Sequence, residues 1–278
     1  MSPVNQSRET NMLDDADLQK GADVLWTGFC DKTPQTPLSV TFPDAGIADA
    51  YRIQQRFVDN RVDAGHRIRG YKVGLTSKPM QEQAGIKEPD FGALLDFFFV
   101  PESSTLNTAD YIDPAIEIEI AFVMKEPLRG PGINTADVIR ATDFVLPAIE
   151  VVDFRLARNG RREGSGIFDT VADLASCGAV VLGGNPMRLE DINIAQVGGA
   201  CVRNGEVEKV GVASQVLGNP INAIAWLANK LGELGGITFE PGHTILSGSF
   251  IAIVPAAAGD HFIARFDSGF GNVELTFE

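Results

Sequence analysis

The ten residues AIEIEIAFVM, 115–124, place Glu117 and Glu119 inside an otherwise apolar, β-branched run. Side chains alternate across a strand, so Ile116, Ile118 and Ile120 share one face and the two glutamates share the other. An isolated ExE in an alternating segment is more often a strand with one wet face. Two features argue against that here. The alternation ends after Glu119, where Ala121, Phe122, Val123 and Met124 are all apolar, as in a strand buried on both sides. Two carboxylates this close also repel, each raising the other's pKa unless a cation stands between them. A metal ion resolves both difficulties.

A third acid has the same oddity: Glu150 in VLPAIEVVDF stands alone in an apolar run. Three carboxylates from two strands suit Mg²⁺ or Mn²⁺, which take hard oxygen ligands and keep water-filled positions open. His66, His243 and His261 are scattered, so a zinc site of the HExxH kind has no support. Lys72, in GYKVGLTSKPM, lies in a short β-like run. Such a lysine is usually solvated, but desolvated beside a metal it could act as an acid or base. Asp90, in KEPDFGALLD, follows a proline and by spacing alone reads as a turn residue.

The 278 residues are 44% hydrophobic, enough for a sizeable core in one large or two small domains. A formal charge of −14 opposes binding to nucleic acid or an anionic membrane surface. An anionic substrate would need a local attractor, which a bound cation provides. Cys30, Cys177 and Cys201 are odd in number and widely spaced, which predicts buried free thiols in a reducing compartment. The first twenty residues lack the basic and apolar blocks of a signal peptide, and no apolar run approaches bilayer length, so a cytoplasmic location is expected.

Residues 1 to about 12 read as a polar, frayed start. A helix is predicted from Asp14 to Phe29, with Leu18, Ala22, Val24 and Leu25 inward, and an amphipathic helix through Ile47, Tyr51, Ile53, Phe57, Val58 and Val62. After Gly70 the texture turns β-rich: YKVGLT, ALLDFFFV, AIEIEIAFVM, FVLPAIEVVDF, GAVVLGG, HTILSGSFIAIVP, HFIARFD and NVELTFE. Two helices interrupt it. NTADVIRATDFV starts at Asn134 or Thr135; NPINAIAWLANKLGELGG has Asn219 as cap, Pro220 in the first turn, Gly235 or Gly236 as stop, and Ile221, Ile224, Leu227, Leu231 and Leu234 inward. The division expected is a helical N-terminal region, 1–69, and a β-rich catalytic domain, 70–278.

The segments GYKVGLTSKPMQ, EPDFGALLD, AIEIEIAFV, VLPAIEVVD, FDTVADLASCGAVVLGG, NPINAIAWLANKL and LSGSF occur in that order. From about residue 45 onward the chain resembles the hydratase and decarboxylase branch of the fumarylacetoacetate hydrolase superfamily. The resemblance implies an α+β fold, a mixed β-roll with a helical N-terminal cap. It further implies Mg²⁺ (or Mn²⁺) held by Glu117, Glu119 and Glu150, with Lys72 and Asp90 as the acid/base pair. Leu75, Ser247 and Ser249 would line the substrate pocket. The implied activity is a metal-dependent hydro-lyase acting on a small 2-hydroxydienoic or 2-oxo-enoic acid, in a homo-oligomer. A decarboxylase and a C–C hydrolase of acylpyruvates are the alternatives within the same resemblance.

Relatives acting on dicarboxylates often carry arginines where this chain has Ala115, Ala252 and Ala257, and the family's usual asparagine is Leu174 here. Those losses favour a more apolar substrate tail. Arg155, Arg158, Arg161 and Arg162 could replace the missing cation, but as DFRLARNGRREG they read first as a solvated basic loop.

Overall fold

A computed structural model describes residues 12–157 and 166–278. The frayed start expected for the first residues, and Arg158, Arg161 and Arg162, lie outside the described residues apart from Met12.

Helices α1 (Asp15–Asp31), α2 (Leu38–Thr41) and α3 (Ile47–Asp63) come first. The side chain of Asp14 caps α1 by accepting the Asp17 N–H at 2.9 Å. Leu18, Ala22 and Leu25 pack inward from α1, and Ile53, Phe57 and Val58 from α3, whereas Ile47 and Val62 at the ends of the predicted stripe are exposed.

Strands β1 (Ile68–Gly74), β2 (Asp90–Leu95), β3 (Phe99–Val100), β4 (Thr105–Leu106), β5 (Ala115–Met124), β6 (Thr142–Val152) and β7 (Cys177–Leu182) follow. They are interleaved with α4 (Lys78–Ala84), α5 (Thr135–Ala141) and α6 (Ile167–Ala172). The chain continues through β8 (Gly198–Arg203), β9 (Glu206–Val212), α7 (Pro220–Gly235), β10 (Thr244–Leu246), β11 (Val254–Pro255), β12 (His261–Phe266) and β13 (Gly271–Phe277). One curled sheet runs β2-β1-β10-β5-β6-β7-β3, with β11 also on β5; a second runs β4-β13-β12-β8-β9. The sheets meet where β5 faces β8 and where β6 faces β12 and β13. This is the mixed roll with N-terminal helices that the resemblance implies.

The longest pairing is β5 with β6, antiparallel, with Ile118 opposite Ile149 and Glu117 opposite Glu150. Both strands are buried on both faces, as the broken alternation predicts. The isoleucines of β5 fill the space between the sheets, which leaves the glutamates to point to the other side.

Several details differ from the sequence reading. The helix at Asn134 stops at Ala141 because Thr142 to Val145 join β6. ALLDFFFV is split by a 3-10 turn at Asp96–Phe98. Leu234 is exposed at the end of α7, and Cys30 is exposed whereas Cys177 and Cys201 are buried free thiols. The hairpin β8–β9, α4 and α6 were not foreseen.

Candidate active site

The register of β5 and β6 sets Glu117 directly across from Glu150, and Glu119 lies two residues along the same face. Each glutamate offers a carboxylate oxygen within 4.8 Å of the other two. All three are buried, at 8%, 0% and 0% exposure for Glu117, Glu119 and Glu150.

β1 and β2 bring the other two predicted residues to this face. β10 lies between β1 and β5, with Lys72 opposite Leu246 and Leu246 opposite Ala121. The Lys72 ammonium lies 3.0 Å from Glu150 Oε1 and donates to the Ala175 carbonyl at 2.8 Å. Besides this ion pair the Glu150 carboxylate has the Cys177 thiol beside it and no backbone N–H bonded to it. Asp90 begins β2 opposite Gly74. A Cβ on Gly74 would stand 2.2 Å from Asp90 Oδ1 and 3.7 Å from Lys72 Nζ, so the missing side chain makes the space the pair occupies.

Among the described residues, Glu119 Oε1, both oxygens of Glu150 and both of Asp90 are buried without a hydrogen-bond partner. Glu119 Oε2 has one, the Gly248 N–H at 2.7 Å. Buried carboxylates so poorly matched are costly unless a cation compensates them. An all-oxygen cluster with spare lone pairs is what a hard divalent ion requires, so the donor set fits one.

The electrostatics carry the same imprint. Burial pushes Asp90 up to about 6, against the pull of Lys72. Burial likewise pushes Glu117 up to about 7, with Lys72 opposing and Glu150 assisting. Glu119 is raised well above the carboxylate range by burial, then by Glu150 and Glu117. For Lys72, burial favours the neutral amine, but Glu150, Glu117, Asp90 and Glu119 together outweigh it and keep the ammonium.

The remaining predicted residues lie in the loops that follow β10 and β1. Ser247 follows β10, its N–H bonded to the Ile120 carbonyl at 3.1 Å and its hydroxyl buried without a partner. The Ser249 hydroxyl is turned into its own loop, donating to the Ile251 carbonyl at 3.0 Å. Leu75 follows β1 in a left-handed conformation (φ 53°), its carbonyl accepting from the Gln81 amide at 2.9 Å.

No family model matches the chain. Comparison with curated proteins finds 42% identity to the 2-oxo-hept-4-ene-1,7-dioate hydratase of Escherichia coli over 86% of this chain and 90% of the relative. The chain belongs to the hydratase and decarboxylase branch of the fumarylacetoacetate hydrolase superfamily. A solved structure of the 4-oxalocrotonate decarboxylase from Pseudomonas putida G7, complexed with magnesium and adipate, matches with 34% identity and a TM-score of 0.91 over 96% of this chain and 99% of that one. The fumarylpyruvate hydrolase of Pseudomonas aeruginosa, 13% identical, shares the fold alone, with a TM-score of 0.60 over 75% of this chain and 88% of that one.

This member of the superfamily has site features that sequence reasoning missed. The Gly248 N–H on Glu119 and the Ala175 carbonyl on Lys72 are backbone groups, which leave no residue-type signal. Arg155 is corrected outright. Far from solvated, it is 1% exposed. Its guanidinium binds the Asp173 side chain, the Asp173 carbonyl at 2.9 Å and the Cys177 carbonyl at 2.8 Å, so it is not free to meet a substrate carboxylate.

Proposed function

We propose that the protein is a divalent-metal-dependent hydratase. It would add water to a 2-hydroxydienoate, through its 2-oxo-enoate tautomer, to give a 4-hydroxy-2-oxo acid in the meta-cleavage catabolism of aromatics. The observation that carries this reading is the buried glutamate triad with unmatched oxygens beside Lys72 and Asp90. The hydratase relative at 42% identity supports the reaction, and the magnesium complex of the decarboxylase relative supports the cation.

In this reading Glu117, Glu119 and Glu150 hold Mg²⁺ or Mn²⁺. A cation there supplies Lewis-acid polarisation of the C1 carboxylate and C2 oxygen of a 2-oxo acid. Lys72 and Asp90 handle the protons between them. One proton leaves the C2 hydroxyl and one is delivered to C5; water then bonds to C4 through its oxygen, and its proton ends on C3. Asp90, at about 6, exchanges a proton readily near neutral pH. Lys72, fixed on the Ala175 carbonyl, is a positioned ammonium donor. The unpartnered Ser247 hydroxyl is available to a substrate oxygen, and Leu75 and Ser249 complete the pocket wall. Self-association into a homo-oligomer and a cytoplasmic location belong to the same proposal.

A second reading, decarboxylation of a 2-oxo-3-enedioate, is favoured by the extent of the match to the decarboxylase structure. Acylpyruvate hydrolysis draws less support: His66 pairs with Asp96, His261 with Glu274, and His243 lies against the Glu240 backbone, so no histidine joins the glutamates.

The test follows the ultraviolet absorbance of 2-hydroxypenta-2,4-dienoate and longer-tailed analogues with Mg²⁺, with chelator, and with Glu119→Gln. Metal-dependent loss of dienol absorbance with a 4-hydroxy-2-oxo product supports the hydratase. Silence on every dienol, with CO₂ released from a 2-oxo-3-enedioate, replaces it with the decarboxylase.

A further inference from the structure

Lys72 is held in place by a carbonyl that sits in a strained turn. Leu174, Ala175 and Ser176 follow α6 and are all left-handed, with φ of 52°, 49° and 62°. None is a glycine, and L residues adopt this conformation only when their surroundings impose it. The Ala175 carbonyl at the centre of the turn accepts the Lys72 ammonium.

The surroundings that impose it converge from three sides. Arg155 is the first. Its N–H donates to Asp173 Oδ2 at 3.1 Å, its Nε donates to Asp173 Oδ1, and its two terminal nitrogens reach the carbonyls of Asp173 and Cys177. One side chain thus grips the residues immediately before and after the turn. The second is β2, where Gly92 lies opposite Lys72 and a Cβ would stand 2.2 Å from the Leu174 carbonyl oxygen. The third is the N-terminal helical region: the Gln54 amide donates to Val171 and Phe91 carbonyls at 2.6 and 3.0 Å, and Ser39 binds the Asp169 carboxylate.

We propose that Arg155, through Asp173, is a positioning residue for Lys72: it holds the left-handed turn whose Ala175 carbonyl sets the place of the Lys72 ammonium. The catalytic part of this inference rests on the role given to Lys72 above; the positioning part does not. It also accounts for a fully buried ion pair outside the glutamate cluster, a kind of pair that apolar residues often replace without loss of stability.

Two variants displace the turn from opposite sides. Arg155→Met with Asp173→Leu removes the ion pair without stranding either charge, and Gly92→Ala pushes on Leu174 from β2. Two measurements are made on each. The first is the ¹⁵Nζ ammonium resonance of Lys72, identified by its absence in Lys72→Met. The second is kcat against KM in the dienol assay at saturating Mg²⁺. We expect the Lys72 resonance to broaden or vanish in both variants, and kcat to fall at least tenfold with KM changed less than about threefold.

An unchanged Lys72 resonance in either folded variant overturns the positioning claim; a displaced resonance with wild-type kcat overturns its catalytic part. If the double variant fails to fold, Arg155→Lys, which keeps the charge but cannot bond Asp173 and both carbonyls together, is measured in its place. If the wild-type protein turns over no dienol, the function proposed above is at fault, and the resonance still decides whether Arg155 places Lys72.

Discussion

Glu117 and Glu150 face each other directly across the β5–β6 pair, two buried carboxylates at one register position. Like charges directly opposite destabilise a sheet. Their retention in the longest pairing of the fold marks a position where something positive is meant to stand.

The stability of the metal-free protein carries a pH signature with a defined sign. Glu117 at about 7, Asp90 at about 6 and Glu119, which burial raises well above the carboxylate range, all titrate above the range near 4 that they have when unfolded. Between about pH 4 and 7 the native chain therefore binds more protons than the unfolded chain, and the contribution of these groups to stability declines as pH rises. Thermal melts after chelation should show this decline, and Glu117→Gln should make it shallower. Mg²⁺ should remove it and raise the midpoint, increasingly so toward neutral pH.

Lys72→Met should lower kcat by about 10²- to 10⁴-fold, the usual worth of a positioned acid or base. It also strips the carboxylates of their cation, so the metal-free variant should melt lower than wild type, and Mg²⁺ should restore more of the loss than it adds to wild type. Kinetics and melts with and without chelator check both parts.

Gly74→Ala puts a methyl group 2.2 Å from Asp90 Oδ1. Overpacking of this kind costs about 1–3 kcal/mol, small enough for the fold to survive. Displacing Asp90 should cost activity at least tenfold while Mg²⁺ affinity changes little, because the glutamates lie on other strands. Parallel turnover and calorimetric titration would separate the two.

Asn219→Ala provides a contrast at a residue outside the charged cluster. The Asn219 side chain caps α7 by accepting the Ile221 N–H at 3.0 Å. Its loss should cost about 1 kcal/mol of stability with kcat and KM unchanged. A change in kcat would show that the cap acts on the site through the packing of α7 on β1.

Much of this was legible in the chain. β5 and β6 declare themselves by β-branched runs that bury both faces, and α7 by its Asn-Pro start and the left-handed Gly236 that stops it. The three glutamates stood out because each interrupts an apolar run, whereas Lys72 and Asp90, which by spacing read as a solvated strand residue and a turn residue, were singled out by the resemblance. The hairpin β8–β9 carried a readable signal in Asn204-Gly205, but β9 is exposed and charged and lacks a clear alternation. The turn at Leu174–Ser176 was not readable at all. Nothing in Leu-Ala-Ser prefers a left-handed backbone; tertiary contacts made by Arg155, Gly92 and Gln54 impose it. The same is true of Arg155, whose basic neighbours in sequence suggest solvent while Asp173 draws it inside.

The glutamate cluster has a further consequence for how the protein acquires its ion. A carboxyl that burial inclines to hold its proton, as at Glu117 and Glu119, gives that proton up when it accepts a divalent cation. Loading is then an exchange reaction that releases acid, with an affinity that steepens as the medium becomes more alkaline.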